Sequence, residues 1–195
     1  MSEEILETAV SILVTEGYES LTIQRLAEEL DMTGAGVYYH FESKDELLVA
    51  IVDYLKEELT TELSSVEGPP DERLATMVQE MFAAAEAVQQ MEMLPPSSQL
   101  LLSTTDSNEM LRQSLLELTE ACVGQFTETI REGVESGVFE TEHPEQTARL
   151  LLAIIDGAER RAVFGKSSEP LVQGTVRYIL TDLYVDGPPE LEIEQ

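Results

Sequence analysis

The sequence predicts an all-α protein in two parts: a small three-helix N-terminal domain carrying a helix-turn-helix, and a larger helical domain behind it. Three observations predict this. Apolar residues recur at helical spacing through most of the chain, and no segment reads as a strand. Clusters at Gly68-Pro69-Pro70, Leu94-Pro95-Pro96 and Gly187-Pro188-Pro189 punctuate the chain at helix length. Residues 22–44, TIQRLAEELDMTGAGVYYHFESK, place two short helical patterns around one tight turn. About nine helices are expected, divided into residues 1–48, residues 49–186 and an acidic tail at 187–195.

The first helix, residues 3–16, carries Ile5, Leu6, Ala9, Val10, Ile12 and Leu13 near a 3.6 period and ends at Gly17, a natural C-cap. Thr22 suits the N-cap of the second, with Leu26, Ala27 and Leu30 as its apolar face. Asp31 falls where the chain must reverse, and aspartate tolerates a left-handed backbone better than most residues. Thr33 then caps a helix over 34–40 whose first turn is nearly bare of side chains. In a helix-turn-helix the second helix enters a DNA groove by its N-terminal end. A bare first turn lets backbone and bases approach closely, with Tyr38, Tyr39 and His40 reaching for sugar and phosphate. Leu6, Leu13, Tyr18, Leu21, Leu26, Leu30, Val37 and Phe41 are the expected three-helix core.

Ser43 followed by Glu46 is a capping-box pattern, and the helix it opens runs through Leu47, Leu48, Ile51, Val52, Leu55, Leu59 and Leu63 to about residue 65. Lys44 stands in its first turn, where ammonium and outward-facing amides together suit a phosphate. Residues 71–92 set Leu74, Met77, Val78, Met81, Phe82, Ala85 and Val88 on one face. A short helix near 97–104 follows. Residues 107–136 then carry Leu111, Leu115, Leu118, Cys122, Phe126 and Ile130 as one apolar stripe ending at Gly137. Pro144 suits the first turn of a helix to about residue 164, and a last helix spans 169–185. The helix from Pro144 is apolar on more than one side, so it needs cover from more than one side. Leu150, Ile154, Gly157, Ala158, Val176, Ile179 and Leu183 form the expected self-association surface, the small residues permitting close approach.

The helix-turn-helix also resembles the tetracycline-repressor (TetR/AcrR) family of transcriptional regulators. The resemblance rests on Thr22-Ile23, Leu26-Ala27, Thr33, Val37-Tyr38-Tyr39-His40-Phe41, Ser43-Lys44 and Leu47-Leu48. The turn departs from the family's usual Ala-Gly-Val, with Leu30-Asp31-Met32 in its place. The resemblance implies phosphate contacts from Thr22, Thr33, Tyr39, His40 and Lys44, and base-edge contacts from Gln24, Gly34, Ala35 and Tyr38. It further implies a homodimer built on the last two long helices and a double-stranded, palindromic operator. An unidentified small molecule would release the repressor, acting through the helix over 43–65. Met77, Met81, Phe82, Leu111, Leu115, Leu118, Cys122, Phe126, Leu152 and Ile155 are the residues that could line an effector pocket, methionines adapting to varied shapes. The alternative is a helical small-molecule sensor or protein-interaction module that has lost operator binding.

Charge complicates the DNA-binding expectation. The chain has 39 acidic residues against 11 basic ones, a net charge of −28. Solubility alone asks for only about 2–8 units, and self-repulsion on this scale destabilises a compact state. Since 43% of the residues are apolar, the chain is nevertheless a folding one and not an acidic disordered tract. Molar salt shortens the Debye length to about 3 Å, so the composition points to a salt-rich cytoplasm, as in a halophilic microbe. Together with the resemblance, a halophilic archaeal source is expected. Residues 1–48 contain only two bases, Arg25 and Lys44, so binding would rest on fit and hydrogen bonds more than on charge.

Other chemistries have little support. Cys122 is the one cysteine, which leaves no disulfide framework or zinc-ligand spacing. The two histidines, His40 and His143, fall in different domains, and no carboxylate–histidine cluster has metal-ligand spacing. Gly34-Ala35-Gly36 follows no strand and lacks a third glycine, so it is not a phosphate loop. The N-terminus lacks a signal-peptide pattern, and apolar runs such as residues 150–155 are too short for a membrane span. A cytoplasmic protein without catalytic residues, metal or cofactor is expected.

Overall fold

The computed structural model describes residues 2–91, 108–163, 174 and 183–185, with the side chains of 82–91 and 158–163 outside that description. Seven α-helices carry the described residues: α1 Ser2–Glu16, α2 Ile23–Glu29, α3 Gly34–His40, α4 Lys44–Ser65, α5 Pro70–Met91, α6 Glu109–Ser136 and α7 Pro144–Val163. A 3-10 turn, Tyr18–Ser20, links α1 to α2. The expected helix at 97–104 lies outside the described residues, as does most of 169–185. Among the described residues, none of the helices is long and apolar enough to cross a membrane.

The chain divides into two compact units, residues 1–58 with 93–119, and residues 59–92 with 120–195. The first unit holds the N-terminal helices. On α1 the buried residues are Ile5, Ala9, Ile12 and Leu13, and Leu21, Leu26, Ala27, Val37, Phe41, Leu47, Leu48, Ile51 and Val52 are the other buried apolar residues of these helices. This corrects the expected core at three places: Leu6, Tyr18 and Leu30 are only half-buried. Spacings of four, three and one residues centre the inward stripe of α1 between Ile5 and Ala9, which turns Leu6 to its edge.

The second unit packs α5 against α7. Leu74, Ala75, Met77 and Val78 are buried on α5, and Ala148, Leu151, Leu152 and Ile155 are buried on α7 at i, i+3, i+4 and i+7. Pro70 is the first residue of α5 and not part of the break before it, a position where a missing N–H costs nothing. Arg73 ties α5 to α6 by donating to Glu132 Oε2 at 2.7 Å and Thr129 Oγ1 at 3.0 Å. The helix α6 ends in a glycine cap at Gly137, φ 80°. There the Val138 amide donates to the Gly133 carbonyl at 2.9 Å, and the Gly137 amide to Val134 at 3.1 Å.

Beyond that cap the chain makes an isolated antiparallel bridge, Phe139 with Tyr184, that the sequence did not reveal. The Glu140 amide donates to the Leu183 carbonyl at 2.9 Å and the Val185 amide to Val138 at 3.1 Å. Leu183 is thereby buried in the unit's own core (3% exposed), which corrects its expected place on a dimer surface. Val176 and Ile179 lie outside the described residues.

Candidate nucleic-acid interface

The helix-turn-helix is built from local hydrogen bonds that its sequence supplies. Thr22 has extended backbone, and its hydroxyl accepts the Arg25 amide at 3.0 Å, closing the first turn of α2. Thr33 repeats the device on α3, accepting the Gly36 amide at 3.1 Å. Between them the chain reverses at Asp31, φ 51°, the one non-glycine residue with positive φ among those described. An aspartate can hold that left-handed turn, so its substitution for the family's usual glycine leaves the motif intact. The Met32 amide closes the turn by donating to the Ala27 carbonyl at 2.8 Å.

The helix α3 buries only Val37, and Phe41 is buried just after its end. Tyr38 is 51% exposed and Tyr39 86% exposed, so two large aromatic rings stand in solvent. Tyr39 meets the His40 ring edge-on, with centroids 5.4 Å apart. Ala35 is exposed, and Gly34 and His40 are half-buried. A methyl added at Gly34 would meet Ile23 Cγ2 at 3.8 Å, an ordinary contact, so packing within the chain does not require that glycine. Gly36 differs, because a Cβ there would come within 3.1 Å of the Met32 Cε.

At the start of α4 the Ser43 hydroxyl accepts the Glu46 amide at 3.1 Å. The Glu46 carboxylate in turn accepts an amide at 2.5 Å, from Glu42 and not from Ser43. Lys44 therefore sits at a well-capped helix start, and its Nζ stands 5.0 Å from the centroid of the Tyr18 ring. The other base of the region is committed elsewhere. Arg25 donates to Glu16 at 2.5 and 3.1 Å and to Glu29 at 2.7 Å, and the hydrogen bond from Arg25 holds the Glu16 carboxyl below its usual range. Gln24 donates its side-chain amide to Glu28 at 3.1 Å.

Of the expected site residues, Thr22, Gln24, Thr33, Gly34, Ala35, Tyr38, Tyr39, His40 and Lys44 all fall in the first unit, on α2 and α3, at their N-caps and at the start of α4. The expected effector residues are distributed differently. Leu111, Leu115 and Leu118 belong to the first unit; Met77, Met81, Cys122, Phe126, Leu152 and Ile155 belong to the second. All of these are buried except Met81, which is half-buried, and the Phe82 side chain lies outside the description. Burial pushes the Cys122 thiol up to about 11, the response of a protonated core residue and not of a nucleophile. On α7, Leu150 is exposed at 52% while Ile154 and Gly157 are half-buried, and the Ala158 side chain lies outside the description. Among the described residues no group of three or more His, Cys, Asp or Glu side chains could hold a metal ion.

Comparison with known proteins agrees with this geometry. The family profile described as bacterial regulatory proteins, tetR family, matches residues 5–51. A second profile, BetI-type transcriptional repressor, C-terminal, matches residues 70–184. The chain is 26% identical over 194 residues to the uncharacterized HTH-type transcriptional regulator YfiR of Bacillus subtilis (strain 168), covering 94% of this chain and 92% of that one. It is 27% identical over 177 residues to the HTH-type transcriptional repressor DhaR of Mycobacterium sp. (strain GP1), covering 88% and 86%. Among solved structures, a TetR transcription regulator from Haloarcula marismortui matches with a TM-score of 0.79 at 32% identity, over 93% of this chain and 97% of that one. A transcriptional regulator from Saccharomonospora viridis in complex with choline shares the fold, with a TM-score of 0.73 at 24% identity over 94% and 97%.

Proposed function

The chain belongs to the TetR family of DNA-binding transcriptional regulators, and on that premise we propose that it is a homodimeric repressor whose helix α3 reads a palindromic operator. One observation carries the reading. In a first unit whose core is closed, α3 presents a capped, nearly bare N-terminal turn and two exposed tyrosines to solvent. Thr22, Thr33, Tyr39, His40 and Lys44 take backbone phosphates, and Gln24, Gly34, Ala35 and Tyr38 face base edges. Gln24 must then give up its bond to Glu28. Leu150, Ile154 and Gly157, at i, i+4 and i+7 on α7, support a dimer surface on the side of that helix away from Leu151, Leu152 and Ile155. A dimer presents two copies of α3 to half-sites one DNA turn, or a multiple of it, apart.

The helical domain takes a small-molecule effector that releases the operator, as the family profile over 70–184 and a choline-bound protein of the same fold support. Met77, Met81, Cys122, Phe126, Leu152 and Ile155 are its candidate contacts. We further propose a cytoplasmic protein adapted to high salt, on the strength of the −28 net charge. Counterion release, the main source of affinity for a basic protein at low salt, contributes little here: of the two bases in residues 1–48, Arg25 is tied to two carboxylates.

Selection from a random-sequence duplex pool by the full chain supplies the test. It is expected to enrich a palindromic site, and Tyr38→Ala is expected to weaken binding to that site while sedimentation still shows a dimer. Titrating the complex with KCl by fluorescence polarisation, affinity should hold level or rise. A steep loss of affinity with salt would overturn the salt-adapted mode, and failure to enrich any site would overturn operator binding.

A further inference from the structure

Among the residues whose side chains are described, Arg25, Lys56, Arg73, Arg112, Arg131 and Arg149 each form an ion pair with Asp or Glu. Lys44 forms none, although acidic residues are close by. Burial raises the Tyr18 hydroxyl above its ordinary range, and the charges of Glu19 and Asp45 add to the shift. What the Lys44 ammonium meets is the Tyr18 ring, at 5.0 Å from the centroid.

Local structure brings that ring to the start of α4. Gly17 leaves α1 at φ 83°, a conformation that favours glycine, and the 3-10 turn behind it is closed by the Leu21 amide donating to the Tyr18 carbonyl at 3.1 Å. Tyr18 comes to rest half-buried, with one face under Lys44.

We propose that Tyr18 is a positioning residue for DNA binding: its ring holds the Lys44 ammonium at the first turn of α4 without neutralising it. An acidic partner would fix the side chain equally well. It would also cancel the charge, and the pair would have to break before a phosphate could be bound. An aromatic face attracts a cation through its quadrupole and leaves the full charge available to a third group. The requirement is acute in this chain, because Lys44 is the one described cation of residues 1–48 outside an ion pair. Ser43 has already taken the Glu46 amide, so the free amides of Lys44 and Asp45 are left to join the ammonium on a phosphate.

The inference rests on Lys44 contacting the operator, and a double-mutant cycle separates the two ideas. The probe is a fluorescein-labelled duplex carrying the site enriched from the random pool. Lys44→Ala is expected to weaken binding. Tyr18→Leu should weaken it about two- to fivefold, Tyr18→Phe should restore it, and Tyr18→Leu should add nothing once Lys44 is alanine. If Lys44→Ala binds like the parent, the phosphate role of Lys44 falls and the inference falls with it. If Lys44→Ala weakens binding but Tyr18→Leu weakens both backgrounds equally, the inference alone falls. A second measurement does not depend on how the variants fold. In the NMR spectrum of the unmodified chain, the Lys44 ε-methylene protons should be displaced upfield by the ring current of Tyr18. Resonances at ordinary lysine positions would overturn the proposal.

Discussion

At the level of single residues, Gly34 separates stability from recognition. It is not among the glycines with positive φ, and a methyl in its place would make only an ordinary contact with Ile23 Cγ2 at 3.8 Å. Within the folded chain, alanine is therefore acceptable. Gly34→Ala should raise stability by about 0.4–1 kcal/mol, because the unfolded chain has less conformational freedom to lose. The same methyl stands on the bare first turn that α3 offers to a base edge, so operator affinity should fall. A thermal melt and a polarisation titration of one variant thus move in opposite directions. Affinity unchanged alongside a higher melting point would show that no base approaches the first turn of α3. Gly36 does not offer this separation, since its Cβ would press on the Met32 Cε at 3.1 Å in the free protein as well.

At the level of elements, the least expected feature is the clasp that closes the second unit. Phe139 is buried, meets Tyr184 edge-on with centroids 4.7 Å apart, and lies directly on Gly133. A Cβ on residue 133 would fall 2.0 Å from Phe139 Cδ2 and 2.4 Å from Cε2. The ring has little room to retreat. Tyr184 is anchored by donating its hydroxyl to the Asp71 carbonyl at 2.8 Å, and the backbone bridge fixes both chains. Gly133→Ala should therefore cost about 1–3 kcal/mol as an overpacking change, read as a lower urea midpoint; an unchanged midpoint would mean the ring relocates freely. No local pattern announced this contact, because Phe139 and Tyr184 are far apart in sequence and neither sits in a strand-like run. The same limit hid Tyr18 beneath Lys44. What was legible is what neighbouring residues decide. Thr33 and Phe41 bracket α3 at the residues expected, and the capping box at Ser43 and Glu46 formed, with only its amide partner displaced to Glu42. On α1, periodicity gave the helix but not its rotation: Ile5, Ala9, Ile12 and Leu13 face inward, while Leu6 stands at the edge.

At the level of the whole molecule, charge governs stability as well as binding. With −28 net charge, the folded chain gathers carboxylates more closely than the unfolded chain does. Two opposing pH effects follow, and they act in different ranges. Glu16 and Glu120 are held below the ordinary 4.5, chiefly by hydrogen bonds from Arg25 and Arg149. Groups depressed in the folded state contribute stability above their unfolded pKa and lose it as pH falls through the folded value. Their contribution is therefore constant from pH 7 to 5 and declines only below 4.5. Glu80 is shifted the other way, raised first by burial and then by the charge of Glu62. Its protonation favours the folded state, and it takes up its proton before those two carboxylates do. In dilute buffer the thermal midpoint should thus climb as pH is lowered from 7 towards 5, while mutual repulsion subsides and the arginine pairs remain intact. Added KCl at pH 7 should raise the midpoint by the same relief, since screening weakens repulsion among exposed carboxylates at long range far more than it weakens close ion pairs. In concentrated KCl the rise between pH 7 and 5 should flatten, because the repulsion that protonation would relieve is already screened. Circular-dichroism melts over a grid of pH and KCl distinguish this from stability built on surface ion pairs. In that case the midpoint would fall with salt at pH 7, and acid would bring no gain at any KCl concentration.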